Sequence, residues 1–319
     1  NLGLDVGYPI WQSRVGQLRN GSITFVAGTS KCGKSSFALR SALMVAHKLN
    51  LPVLLVDSEL NKDDQQIRLI GILAKVPFNI IETGYWKLNA DELKAEGVVD
   101  QLMIEQVLEY GKRMKDPAFR EMVNRLPIDY QSIYGMGIPE VVPHMRRWIL
   151  TKVKPNSESK FPQCLIVYDY IKLATVNELK GGKLAEWQVH GLNVAALHDF
   201  CNKYHIPILA FGQTNRELDT DFNCVAGAKR IVENVTSISL LKAKTENEYA
   251  LDPNGTHLIR VFAARYGRAT PNSYINFHVN LECGEFEERE LGTVNFAEIR
   301  QQQNRNYARR REQDGEAED

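Results

Sequence analysis

The chain has 319 residues, long for one domain and short for two large ones, and its 39 basic residues equal its 39 acidic ones. That balance disfavours a histone-like basic binder while leaving room for a locally basic channel. Five cysteines at wide, irregular spacing (Cys32, Cys164, Cys201, Cys224, Cys283) form no C-x-x-C pair, which argues against a disulfide framework or a zinc site and for a reducing, cytoplasmic setting.

No apolar run reaches transmembrane length and no signal peptide is present, so no membrane is expected. Asn1 in place of Met reads as a fragment whose preceding part carries another domain. Residues 1 to 20 form a lead-in rich in turn formers, and the turn at Leu18 to Gly21 feeds a buried strand at Ser22 to Ala27. Then comes Gly28-Thr29-Ser30-Lys31-Cys32-Gly33-Lys34-Ser35, the G-x-x-x-x-G-K-S phosphate-binding pattern, with Ser36 next. Its glycines let the backbone curl so that N–H groups face a polyphosphate; Lys34 reaches the terminal phosphates and the Ser35 hydroxyl ligates Mg²⁺. The Ala- and Leu-rich run from Lys34 to Leu49 supplies the helix that the motif requires after it.

Pro52 to Val56 is a short apolar strand ending in Asp57-Ser58-Glu59. Asn61 is placed to cap the next helix, and Ile67, Ile70, Leu73 and Ala74 give it a buried stripe. This β-α-β-α order favours a parallel sheet. Residues 85 to 162 interrupt it with mostly helical composition packed on one face of the sheet. Pro127 and Ile128 start an extended piece; Gly135, Gly137 and Pro139 mark a turn; and a helix from Val142 to Val153 has Pro143 in its first turn.

Cys164 to Tyr170 is the clearest buried strand, and it ends in Asp169. An acid at the carboxyl end of such a strand points at the P-loop phosphates and Mg²⁺. A loop at 175 to 183 carries Lys180 and Lys183 at its tip; Leu184 to Tyr204 is helical; Pro207 to Gly212 is a strand ending in Gln213, which can sense a γ-phosphate. A second loop runs from Leu218 to Lys229 and Arg230. Val235 to Leu241, His257 to Ala264 and Ser273 to Val279 read as strands, the last two as a hairpin that adds antiparallel strands. Tyr274 and Phe277 suit base stacking or a core position, and the core is favoured. The charged end at 301 to 319 reads as a frayed tail.

The order of these signals resembles the RecA-like motor domain of hexameric replicative DNA helicases, the DnaB type and the phage primase-helicases. The resemblance spans most of residues 10 to 290. It rests on the P-loop, on Leu54 to Leu60 with Glu59, on Arg68, on Leu165 to Leu173 with Asp169, on Pro207 to Arg216 with Gln213, on Gly227 to Arg230, and on Ala264 to Gly267 with Arg265. It implies an α/β fold: a mostly parallel sheet flanked by helices, with antiparallel strands near the C-terminal end. It implies a motor domain at 1–291 with a helical insertion at about 85–162, followed by a flexible tail at 292–319.

The implied activity is ATP-driven translocation on single-stranded DNA and duplex unwinding at a replication fork. ATP or another NTP with Mg²⁺ is held by Gly28 to Ser36, and the metal by Ser35 and Asp169. Glu59 polarises the attacking water. Asp57 is the rival acid, set aside because strand alternation turns it away. Gln213 couples the γ-phosphate to DNA, and Arg265 acts in trans as an arginine finger, worth ~10³–10⁵ in rate in such enzymes. Lys180, Lys183, Lys229 and Arg230 grip DNA phosphates. Implied partners are a second copy of the chain in a hexameric ring and a primase, polymerase or loader. Ala263 stands where the family has Lys, Asn234 where it often has Asp, and the helical block is long; these departures suggest a divergent, phage-type member. A RecA-like recombinase and a nucleotide-switched loading protein are the competing readings.

Overall fold

The computed structural model describes residues 3–158, 160–171, 186–214, 228–270 and 273–293, with the backbone alone at 186–192 and 228–230. A short strand β1 (Gly3–Leu4) leads into helix α1 (Pro9–Val15) and then β2 (Leu18–Arg19), which pairs antiparallel with β1. β3 (Ile23–Gly28) enters the P-loop and α2 (Lys34–Leu43) leaves it, continuing through a wider π-type turn at Met44–Lys48. β4 (Val53–Asp57) and α3 (Lys62–Ala74) follow, with the Asn61 side chain accepting from the Asp64 N–H as expected of a cap.

Next come α4 (Phe78–Glu82), α5 (Ala90–Ala95), α6 (Gln101–Lys115), α7 (Pro117–Asn124), β5 (Ile128–Ser132) and α8 (Ile138–Trp148). The chain then runs through β6 (Leu165–Ile171), α9 (Glu186–Tyr204), β7 (Ile208–Gln213), α10 (Ala228–Asn234), β8 (Ser237–Ala243) and α11 (Glu246–Leu251). It closes with β9 (His257–Ala264), β10 (Tyr274–Asn280) and β11 (Glu285–Gly292).

Nine strands form one sheet in the order β11-β10-β9-β8-β3-β7-β6-β4-β5. The six from β8 to β5 pair in parallel; β9, β10 and β11 add on antiparallel. This is the expected α/β architecture. Its central strands are apolar throughout because both faces are covered. Alternation splits them: Val26, Val53, Leu55, Leu165, Val167, Leu209 and Phe211 pack on the α2 side, while Phe25, Leu54, Val56, Ile166 and Ala210 pack on the side of α8 and α9.

α2 is clamped by aromatic rings. Phe37 stacks on Tyr8 at 4.4 Å between centroids and meets Trp11, Phe277 and Phe286 edge-on. The P-loop helix is therefore wedged between the start of the chain and its last strands. Phe277 and Tyr274 are core residues here, the favoured of the two roles considered for them.

Four sequence expectations change. The lead-in contains α1, opened by Pro9 and capped across the molecule: the Glu288 carboxylate accepts from the N–H groups of Ile10 and Trp11 at 2.9 and 2.7 Å. β11 had no sequence signal because only its alternate side is apolar. The block at 85–162 is not wholly helical, since β5 extends the sheet beside β4, and its helices α5 to α7 build a small core of their own around Leu93, Ile104 and Val107. Finally, α8 begins at Ile138 with Pro139 in its first turn, so Pro143 lies inside the helix.

The segment after β9 leans on the start of the chain. A Cβ at Gly267 would lie 1.7 Å from the Arg14 carbonyl oxygen, and the Arg19 guanidinium sits 3.6 Å above the Tyr266 ring. Gly267→Ala is accordingly expected to destabilise by about 1–3 kcal/mol, since backbone must move to admit the methyl group. An unchanged urea midpoint for this variant would contradict the close approach.

Candidate functional site

The carboxyl ends of the parallel strands meet at a cleft of ≈ 470 Å³, within the range of small-ligand sites. Its walls include Ser30, Lys31, Gly33, Lys34, Ser35 and Ser36 from the P-loop, Glu59 after β4, Arg68 on α3, Tyr170 at the end of β6 and Gln213 at the end of β7. Phe78 and Leu281 complete it from α4 and the β10–β11 turn. Sequence reading did not find these last two, because an apolar residue gives no chemical signal and they lie far apart in the chain.

The P-loop conformation follows from its residues. Gly33 sits at the N-terminus of α2 with φ 84°, and Lys31 also takes a positive φ of 59°. At Gly33 a side chain would be strained by that φ and would collide with Leu281 and Phe286. Cys32 turns inward, and its thiol donates to the Leu241 carbonyl at 3.4 Å, tying the loop to β8. The Lys34 ammonium donates to the carbonyls of Gly28 at 3.1 Å and Thr29 at 2.6 Å, which folds its stem across the loop. Gln213 is opposite Gly28 in the β3–β7 register, so the strand order brings it beside the P-loop. The aromatic clamp on Phe37 fixes the helix N-terminus, whose free N–H groups favour an anion.

Three acids gather here with different surroundings. Asp57 and Asp169 are register partners on β4 and β6, both buried. Both fall on the α2 face with Val53, Leu55, Leu165 and Val167, so alternation does not turn Asp57 away as expected. Its carboxylate is instead taken up locally: Oδ1 accepts from the N–H groups of Glu59 and Leu60, and Oδ2 from the Gln65 amide. Burial pushes the Asp57 carboxyl up, and those three donors pull it back. Glu59 is exposed and is the one acid among the cleft-lining residues named above. Burial and the Asp57 charge push Asp169 up to about 7, against a hydrogen bond from Ser35 and the charge of Lys34. Burial and the Glu59 charge push the neighbouring Tyr170 phenol up to about 12.

Whether these residues suit a divalent ion can be tested on one atom. Asp169 Oδ1 is buried with no hydrogen-bond partner, and the Ser35 hydroxyl bonds to the same carboxylate. An orphaned anionic oxygen beside a hydroxyl is the donor set of a hard, oxygen-loving cation that completes its shell with phosphate and water. Among the described residues no three His, Cys, Asp or Glu side chains converge to cage an ion by themselves, as expected where a polyphosphate shares it. The residues fit Mg²⁺ brought in with a nucleotide.

Arg265 is not part of this cleft. Its N–H donates to the Thr236 carbonyl at 2.8 Å and its guanidinium to the Glu233 carbonyl at 2.7 Å. β9 runs antiparallel, pairing Ala264 with Ser237, and Ser237 pairs with Thr24 near the start of β3. The P-loop leaves from the other end of β3, so Arg265 lies roughly 13 Å away along the strand direction alone. Lys180 and Lys183 lie outside the described residues; Lys229 and Arg230 fall on α10, with their side chains outside the description. No described helix is long and apolar enough to cross a membrane.

A family model described as the DnaB-like helicase C-terminal domain matches residues 3–223. The replicative DNA helicase DnaB of Synechocystis sp. is 21% identical over 223 residues, 69% of this chain, and the match spans 21% of that protein. The solved ATPase domain of a phage helicase superposes with a TM-score of 0.68 at 14% identity, covering 91% of this chain and 93% of that one. A DnaB-like replicative helicase, solved in work on its interactions with primase, gives 0.68 at 15% identity over 91% of this chain and 63% of that one. At such identities the structural likeness establishes the fold.

Proposed function

Since the chain belongs to the DnaB-like helicase C-terminal domain family, we propose that it is the motor of a ring helicase that hydrolyses ATP, moves on single-stranded DNA and opens duplex DNA during replication. The observation that carries the reading is the convergence of Lys34, Ser35, Glu59, Arg68 and Gln213 on one cleft beside the orphaned oxygen of Asp169. P-loop N–H groups and Lys34 cradle the β- and γ-phosphates of ATP. Ser35 and Asp169 would hold Mg²⁺, which supplies charge neutralisation when bound. Glu59 takes the proton of the attacking water, and Gln213 reports the γ-phosphate to the DNA-facing segments.

In this reading residues 1–291 work as the motor, 292–319 follow as a polar tail, and the ring is a homohexamer in a reducing cytoplasm. Lys180, Lys183, Lys229 and Arg230 line its channel, where contacts to phosphates make binding salt-sensitive and indifferent to sequence. Primase, polymerase or loader would dock on the assembled ring. The test is ATP hydrolysis with and without single-stranded DNA, and forked-duplex unwinding by the same preparation. Because the match spans about a fifth of the curated relative, a longer form of the protein serves as control. DNA-stimulated hydrolysis with unwinding is expected. DNA-independent hydrolysis without unwinding by assembled rings would overturn the reading.

A further inference from the structure

Glu59 does not stand on a strand or a helix. It lies on the irregular stretch between the end of β4 at Asp57 and the start of α3 at Lys62. A base on such a stretch needs external support to hold its geometry. Asp57 provides it from within. Its Oδ1 accepts from the Glu59 N–H at 2.7 Å and the Leu60 N–H at 2.9 Å, closing a tight turn around the backbone of the base. Its Oδ2 accepts from the Gln65 amide one turn into α3, so the turn is tied to a rigid helix. Both side chains are buried, Asp57 at 1% and Gln65 at 5% exposure, and neither lines the cleft.

Further bonds brace the same turn. The Tyr130 hydroxyl on β5 donates to the Leu60 carbonyl. The Ser58 N–H donates to the Asp169 carbonyl at 2.9 Å, and the Tyr170 N–H donates to the Ser58 hydroxyl at 3.3 Å. Glu59 is thereby linked to the strand that carries Asp169.

We propose that Asp57 and Gln65 are positioning residues for hydrolysis, fixing the Glu59 backbone so that its carboxylate faces the attacking water. The proposal rests on Glu59 being the base. Neither residue touches nucleotide, so their loss acts on turnover and leaves binding alone. A buried carboxylate whose three donors all serve one turn is otherwise a costly way to make a bend.

The test uses the full chain, with kcat and KM for ATP, affinity for a fluorescent ATP analogue, and a thermal melt for each variant. Asp57→Ala is expected to lower kcat roughly 10–100-fold, the scale of a small misplacement of a reacting group, with KM and analogue affinity within about twofold. Asp57→Asn should recover to within about threefold, because its Oδ1 still accepts both N–H groups, and Gln65 can turn its amide to present an oxygen. That Gln65 oxygen, Oε1, is buried and unpartnered in the present arrangement. Gln65→Ala should lower kcat by about three- to tenfold. On a Glu59→Gln background, Asp57→Ala should cost nothing further, since the two act as a unit.

A folded Asp57→Ala chain with kcat within twofold of the unsubstituted chain overturns the proposal, as does an equal loss in analogue affinity. If Asp57→Ala does not fold, Gln65→Ala and Asp57→Asn decide it: unaltered kcat in the first, or no turnover in the second, overturns the proposal. Full turnover by Glu59→Gln sinks the assignment of the base itself, whereas an inactive Glu59→Gln beside a fully active Asp57→Ala sinks the positioning role alone.

Discussion

Glu59→Gln is expected to lower ATP turnover by about 10³-fold, close to 4 kcal/mol of transition-state stabilisation, while nucleotide binding is kept. The amide has nearly the shape of the carboxylate but cannot take a proton from water. The two other acids nearby are not substitutes. Asp57 is buried and already accepts three hydrogen bonds, and Asp169 is buried against Ser35 with its free oxygen oriented for a cation. Glu59 alone is exposed to the cleft, where Lys34, Ser35 and Gln213 also face. Affinity should hold or rise, because the substitution removes a negative charge near the γ-phosphate. The measurement is kcat beside the dissociation constant of a fluorescent ATP analogue. A variant that turns over at the unsubstituted rate would show that another group activates the water.

How much of this was readable from the residues depends on how local each signal is. The P-loop was legible because its chemistry is set by eight consecutive residues, Gly28 to Ser35. Asp169 and Gln213 were legible because an apolar strand ending in a polar residue places that residue at a known end of the sheet. Asn61 declared itself as a cap three residues before the N–H it serves. The fate of Asp57 was not legible: its α2-facing side is set by register with β6, and its neutralisation depends on the Gln65 side chain eight residues on. Phe78 and Leu281 meet at the cleft only because β10, β11 and α4 pack together, as the Phe78 N–H shows by donating to the Glu282 carbonyl at 2.8 Å. β11 was hidden for the opposite reason. Its run of Glu and Arg looks like a solvated segment, and only Phe286 at one end of it reaches the aromatic cluster around Phe37.

Arg265→Ala is expected to lower DNA-stimulated hydrolysis by about 10³-fold or more, although the residue is distant from the cleft of its own chain. The register places it at the opposite end of the sheet from the P-loop, so an effect of that size has to be exerted on ATP held by another copy. Two carbonyl contacts, to Thr236 and Glu233, keep the segment in place without neutralising its charge. The decisive form of the experiment mixes Arg265→Ala with Lys34→Ala chains, each nearly inactive alone. In a head-to-tail ring every site joins the P-loop of one protomer to the finger of the next. Random mixing in equal amounts then gives roughly one interface in four with both parts intact, from an Arg265→Ala protomer beside a Lys34→Ala one. Hydrolysis should rise well above either variant alone. It should stay below a quarter of the unsubstituted rate if neighbouring sites must fire in turn. Absence of recovery in verified mixed oligomers would place the two residues in separate functions and remove the shared site.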